Sequence, residues 1–170
     1  FRPTVGWAPN LTPGSMATGA TASRLFVYGT LLAPEVLEGL LRRVPSHKPA
    51  VLHGFSRWKV AEYPTIPAIV RSTGGTVEGH LLEGLDGREL RALDFYEDDG
   101  YERLLVEIEC SSHKVEANAY VWPAEHTDQL TVGEGWSYEE FRDERMAEFV
   151  TDIVLPCRDA FEAEDAPGAQ

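Results

Sequence analysis

Four apolar or aromatic residues, Leu25-Phe26-Val27-Tyr28, run directly into Gly29, and Thr30-Leu31-Leu32 leads on to a helix-like segment from Pro34. A short, β-rich apolar run closed by glycine reads as a buried strand that turns sharply at its C-terminal end. Glycine accepts backbone angles closed to other residues and lets a ligand come close to the main chain. Backbone N–H groups exposed in such a turn can bind an anionic group without a charged side chain. By itself the stretch is better explained as structural punctuation, a buried strand and a tight turn. Its meaning depends on what the rest of the chain brings to it.

After the turn, Pro34 to Arg43 suits a short helix, with proline in the first turn and arginines in the last, and Pro45 ending it. Ala50–Phe55 and Trp58–Val60 read as strand, interrupted near Gly54. Tyr63 to Pro67 must be loop or sheet edge, because its two prolines cannot donate to a ladder. Ala68–Val70 and Thr76–Leu82 read as two strands joined by a turn at Gly74-Gly75. Asp86-Gly87-Arg88-Glu89 has the D-x-x-E form of a capping box and predicts a helix start. Leu90, Leu93 and Glu97 then fall at helical spacing on one side, and Asp98-Asp99-Gly100 stops the helix.

Tyr101–Cys110 and Val115–Trp122 form an expected hairpin across Ser111-Ser112-His113. A second capping box, Ser137 to Glu140, should open a helix carrying Phe141, Met146, Phe149, Val150 and Ile153 inward. The acidic tail, 160–170, is expected to fray. Residues 1–23, rich in Pro, Gly, Thr, Ala and Ser, read as a flexible arm ahead of one domain over 24–159. Within the arm, Gly14-Ser15-Met16 resembles a cloning junction before a natural start. Strands outnumber helices and short turns join several of them. The expected fold class is α+β, with a small, mostly antiparallel β-barrel flanked by helices.

The 170 residues suffice for one domain with its own core, and 43% apolar with 25% charged residues is a globular balance. No apolar run approaches the roughly 20 residues of a membrane span, and no secretory signal is visible. Fifteen Lys and Arg against 28 Asp and Glu leave a net charge of −13. That field repels phosphate backbones and anionic membranes, so neither nucleic acid nor membrane is an expected partner. Cys110 and Cys157 stand far apart in no motif, which fits a cytoplasmic chain with free thiols. His47, His53, His80, His113 and His126 lack the spacing of a zinc site, so no metal is expected. Ser23 and Ser56 have no nucleophile-elbow context. Trp58, Trp122 and Trp136 read as core or edge aromatics.

Glu97 is the residue that gives the glycine turn a possible use. An acid at the end of an apolar helix stripe is costly unless it is paired or used. Pairing with Arg91 or Arg103, or escape to water past Tyr96, would be the structural explanation. Here four segments come in a recognisable order and spacing: Phe26-Val27-Tyr28-Gly29-Thr30-Leu31, Glu78-Gly79-His80-Leu81-Leu82, Leu93-Asp94-Phe95-Tyr96-Glu97 and Tyr101-Glu102-Arg103. With them the chain resembles the gamma-glutamylcyclotransferase-like superfamily, in particular its AIG2-like branch, from Leu25 to about Val154. Tyr120-Val121-Trp122 and the Trp136–Phe141 helix start are similar as well.

That resemblance implies a barrel with a cavity at the turn, where Tyr28, Gly29, Thr30 and Leu31 hold the substrate. It makes Glu97 the general acid/base in cyclisation of a γ-glutamyl group to 5-oxoproline, with release of the attached amine. Tyr63, Tyr101, Arg103 and Tyr120 are candidates to line the cavity, sheet packing or surface pairing being the alternative for each. The chemistry suits these residue types. One carboxylate can take a proton from the substrate's α-amine and return it to the leaving amine. A glutamate at its ordinary pKa of about 4.3 is a weak base at neutral pH, and burial would raise it. The attack is intramolecular, so no metal or cofactor is called for. The expected partner is a small γ-glutamyl compound whose identity the residues leave open. A binding module that keeps the cavity without chemistry, and an amidohydrolase-like use of water, stand as alternatives.

Overall fold

The computed structural model describes residues 24–166; the expected N-terminal arm lies outside them. Five strands form a closed barrel: β1 (Leu25–Val27), β2 (Ser46–Val60), β3 (Pro67–Glu83), β4 (Glu102–Cys110) and β5 (His113–Val121). Their order is β3-β1-β5-β4-β2, closed by pairing of β2 with β3, and a short β6 (Leu130–Thr131) extends the sheet beyond β2. Every pairing is antiparallel except that of β1 with β5. Helices α1 (Pro34–Leu41), α2 (Gly87–Glu97), α3 (Tyr138–Glu144), α4 (Met146–Phe149) and α5 (Leu155–Asp165) pack outside it. This is the α+β barrel flanked by helices that the strand and helix pattern predicts. Among the described residues, no helix is long and apolar enough to cross a membrane.

β1 is buried on both faces, and alternation divides its side chains between two cores. Leu25 and Val27 join Val36, Leu40, Leu93, Phe141 and Val154 in the layer between barrel and helices. Phe26 and Tyr28 join Leu52, Ile69, Leu81, Ile108 and Ala117 inside the barrel. At roughly 25 cal/mol per Å² of apolar surface removed from water, these two clusters supply most of the drive for closure. A strand held from both sides positions the turn that follows it.

The β2–β3 pair departs from the sequence reading. Gly74-Gly75 is not a turn between two strands, because β3 runs unbroken from Pro67 to Glu83. Both of its halves pair with β2, whereas a hairpin turn would have paired them with each other. His53 faces Thr76 and Phe55 faces Arg71, so the residues between them are accommodated opposite Gly54 in a bulge. Gly54 and Gly74 have φ of 80° and 76°, open to glycine at little steric cost. The expected break at Gly54 is thus a bulge within a continuous β2, and bulges add the twist that barrel closure requires. The β4–β5 hairpin turns at Ser111 and Ser112, with φ of 51° and 62°. His113 already pairs with Cys110, so the turn is one residue tighter than expected.

Three helix expectations are also corrected. α1 stops at Leu41 because Arg42 turns left-handed with φ of 59°, so the arginines lie beyond its last turn. They pair instead with Glu162 and Glu89. Ser137 caps the Glu140 N–H at 3.2 Å, but its hydroxyl bonds to Glu139, leaving a single cap in place of the reciprocal box. The single helix expected after Ser137 breaks at Arg145 and widens to a π-turn over Val150–Val154. Pro156 explains the widening, since its ring crowds the carbonyl four residues back and it has no N–H to donate. Phe141 and Met146 are buried as expected, Phe149 and Val150 pack partly against the same core, and Val154 replaces Ile153 as the fully buried residue.

The chain does not fray from Ala160 as far as it is described, because α5 continues to Asp165. Phe161 is buried against Phe95 with ring centroids 5.7 Å apart, and the Arg88 guanidinium lies 5.2 Å over its ring. Asp165 pairs with Arg88 at 3.0 Å and Arg91 at 3.2 Å. A single aromatic and its clamp outweigh the acidic composition.

Candidate active site

A cavity of about 1570 Å³ opens at the end of the barrel where β1 finishes. Its walls are the turn after β1, the β2–β3 loop, the second half of α2 and the Phe149–Asp165 stretch of the closing helices. Tyr28, Gly29, Thr30, Leu31, Tyr63, Glu97, Tyr101, Arg103 and Tyr120 all contribute to its lining. The cavity therefore gathers every residue that the sequence reading placed near a site.

The turn presents its backbone more than its side chains. The Tyr28 hydroxyl donates to the Tyr120 carbonyl at 2.6 Å, and the Thr30 hydroxyl shares a 2.7 Å hydrogen bond with Tyr96. The turn is closed by Leu32 N–H donating to Gly29 C=O and Ala33 N–H to Thr30 C=O. The N–H groups of Gly29, Thr30 and Leu31 donate to no backbone carbonyl among the described residues. Unpaired donors of this kind are suited to an anionic oxygen. Gly29 has φ of −125°, so it is not there for a left-handed backbone. It is required by contact, because a Cβ would lie 2.7 Å from Pro67 Cγ.

Glu97 is the last residue of α2, and neither of the arginines offered as its structural partner pairs with it. It is half-buried and makes no hydrogen bond or ion pair among the described residues. Arg91 is bound to Asp165 and Arg103 to Asp94. Its carboxyl is pushed up to about 8, chiefly by burial and then by the negative charge of Asp94. Surface exposure and desolvation do not conflict, because the exposed part of Glu97 opens on a cavity walled by protein. Burial also raises the phenols of Tyr28, Tyr96, Tyr101 and Tyr120, with Glu97 contributing to each, so all four stay neutral. Among the described residues, the carboxyl sits beside neutral hydroxyls and the Asp94 charge, with no cation paired to it.

The residue after it holds an unusual backbone. Asp98 has φ of 57° and ψ of −173°, a region that is essentially glycine's alone. Such a conformation costs on the order of 1–3 kcal/mol and persists only where surrounding contacts enforce it, commonly at functional sites.

Two contributors were missed as site residues. Asp94 Oδ1 accepts from Tyr120 OH at 2.8 Å and lies 3.1 Å from Arg103 Nε. Its spacing of three from Glu97, which puts both acids on one helix face, was the available signal. Arg57 donates from Nη1 to the Tyr28 carbonyl at 2.6 Å and lies 5.4 Å over the Trp136 ring. It had no sequence signal, because β2 and the turn meet only on folding. Tyr101 donates to the Pro67 carbonyl at 2.9 Å, while Tyr63 is exposed on the rim. Among the described residues, no group of three or more His, Cys, Asp and Glu is arranged to hold a metal.

Known proteins repeat both the sequence pattern and the fold. A family profile described as "Gamma-glutamyl cyclotransferase, AIG2-like" matches residues 25–139, from β1 into α3. AIG2-like protein C of Arabidopsis thaliana is 41% identical over 138 residues, covering 80% of this chain and 78% of its own length. AIG2-like protein D of the same plant is 34% identical over 151 residues, covering 83% of this chain and 97% of its own. A solution structure of an Arabidopsis thaliana protein superposes with a TM-score of 0.60 at 35% identity, covering 85% of each chain. A structure named gamma-glutamyl cyclotransferase, 18% identical with a TM-score of 0.51 over 86% of this chain and 89% of that one, shares the fold. On the strength of the profile match and these relatives, the chain belongs to the AIG2-like gamma-glutamyl cyclotransferase family.

Proposed function

We propose that this protein is a gamma-glutamylcyclotransferase-type acyltransferase that converts a γ-glutamyl group to 5-oxoproline and releases the attached amine. The observation that carries this reading is Glu97, a carboxyl on the cavity wall that is unpaired among the described residues and whose pKa is raised to about 8. A group that titrates near neutral pH is present in both forms and can serve as base and then as acid. The substrate's α-amine gives a proton to Glu97 and attacks its own γ-carbonyl carbon, forming the ring C–N bond. The tetrahedral intermediate then expels the original amine, which takes the proton back from Glu97. The N–H groups of Gly29, Thr30 and Leu31, unpaired among the described residues, suit an anionic oxygen of the substrate, either its carboxylate or the developing oxyanion. Proximity supplies the remaining advantage, because nucleophile and electrophile belong to one molecule.

The cavity's charge bears on the leaving amine. Glu62, Asp98, Asp99 and Asp152 line it without ion pairs among the described residues, whereas Arg91 and Arg103 are each held by an aspartate. That balance favours an amine portion bearing positive charge over one bearing a second carboxylate.

The test is a product assay by mass spectrometry across γ-glutamyl dipeptides, glutathione, γ-glutamyl-lysine and γ-glutamyl diamines. Release of 5-oxoproline is expected, fastest from the cationic amides. Release of glutamate would instead mean hydrolysis, and saturable binding with no product over hours would mean a binding module.

A further inference from the structure

The carbonyl of Tyr28 and the N–H of Gly29 belong to one peptide unit. No cis peptide occurs among the described residues, so the two groups point in opposite directions across that unit. Arg57 Nη1 donates to the carbonyl at 2.6 Å. Gly29 lines the cavity and Arg57 does not, so the guanidinium lies behind the peptide, and among the described residues the N–H has no backbone acceptor in front of it.

The charge of Arg57 has no adjacent carboxylate among the described residues. Its guanidinium lies over the Trp136 face at 5.4 Å, and the Trp136 indole is fixed in turn by donating to the Thr65 carbonyl at 2.8 Å. Arg57 makes no ion pair among the described residues. Glu139 and Glu78 act on it from beyond pairing distance, and burial lowers its pKa without neutralising it. By contrast, Asp94 and Asp165 answer the two arginines inside the cavity. A hydrogen bond from a charged donor polarises the peptide it reaches and strengthens the N–H on the other side.

We infer that Arg57 is the positioning residue of the substrate turn. It fixes the Tyr28–Gly29 peptide with its N–H toward the cavity and sets a positive charge behind it, for an anionic oxygen of the γ-glutamyl substrate. This rests on the proposed function for the ligand's identity, but its test is a binding measurement that does not need turnover.

The probe is 5-oxo-L-proline, titrated into the ¹⁵N-labelled protein while the Gly29 amide resonance is followed. A saturable shift of that resonance is expected in the wild type. Arg57→Met should weaken binding by about ten- to a hundredfold, the worth of a hydrogen bond to a charged group. Arg57→Lys, which keeps the charge but not the fork, should recover part of the loss. In a protein that turns over, Arg57→Met should raise KM or lower kcat/KM while the acid limb of the pH profile stays in place. Dispersed spectra and melting temperature establish that each variant folds, and if Arg57→Met does not fold, Arg57→Lys carries the test with an expected severalfold loss. A Gly29 amide indifferent to the probe, or unchanged affinity in the folded variant, would overturn the assignment. Absence of 5-oxoproline release with Arg57-dependent probe binding intact would count against the enzyme reading alone.

Discussion

Two helical walls of the cavity are built on opposite lines. α2 starts with a complete capping box, in which Asp86 accepts from the Glu89 N–H at 2.8 Å and Glu89 from the Asp86 N–H at 2.9 Å. It runs regularly to Glu97 and ends against the strained Asp98. The closing wall breaks at Arg145, widens at Val150–Val154 and only then settles into α5. The regular wall carries Asp94 and Glu97 one turn apart, while the irregular one brings Ile153, Pro156, Cys157 and Phe161 into the lining. A group that moves a proton gains from a fixed position, and a wall that shapes a cavity gains from following its contour. On that second wall burial pushes the Cys157 thiol up to about 11.

The strongest way to break this division is to remove the proposed proton carrier from the regular wall. Glu97→Gln keeps the shape and hydrogen-bonding span, and should lower kcat by about 10²–10⁴-fold while binding of 5-oxo-L-proline survives. Unchanged turnover would end the catalytic assignment. Next in size is the clamp between the walls. Phe161→Ala empties the space beside Phe95 and should cost about 3 kcal/mol, read as a lower urea midpoint. A loss below about 0.5 kcal/mol, the scale of a surface substitution, would show that α5 is not anchored there.

The third test sharpens the electrostatic side of the comparison. Wild-type kcat/KM should fall as pH drops through about 8, because protonation of Glu97 removes the base. Asp94→Asn removes the neighbouring charge that helps raise this pKa, so the acid limb should move to lower pH by up to about one unit. A limb that stays in place would mean that burial alone sets the value. The same raised pKa carries a stability sign. Between the ordinary carboxylate range and about 8 the folded state holds a proton that the unfolded chain has lost. Stability therefore declines as pH rises across that window.

The two walls were unequally legible. The sequence marks α2 by local rules, with a box at its start, leucines along one face and an acidic stop. The closing helix is marked only at its start. Its break at Arg145 and its π-turn depend on how Val154 must enter the core and on where Pro156 falls, and neither follows from periodicity. The end of α5 was misread because acidic composition suggests solvent. Phe161, Arg88 and Arg91 overrule it through contacts that span more than 60 residues of chain. Gly74-Gly75 was misread for the same reason: a pair of glycines serves a turn or a bulge equally well, and only the partner strand chooses between them.

The site divides along the same line. Residue order alone determined that a buried strand ends on a glycine turn and that a carboxylate ends an apolar helix face. Those are local properties of side-chain size, spacing and solvation. Tertiary structure decided that the turn and the carboxylate share one cavity, that Gly29 is required by Pro67, and that Asp94 and Arg57 stand behind the two. Each of these depends on distance between segments far apart in the chain, and distance exists only once the barrel has closed.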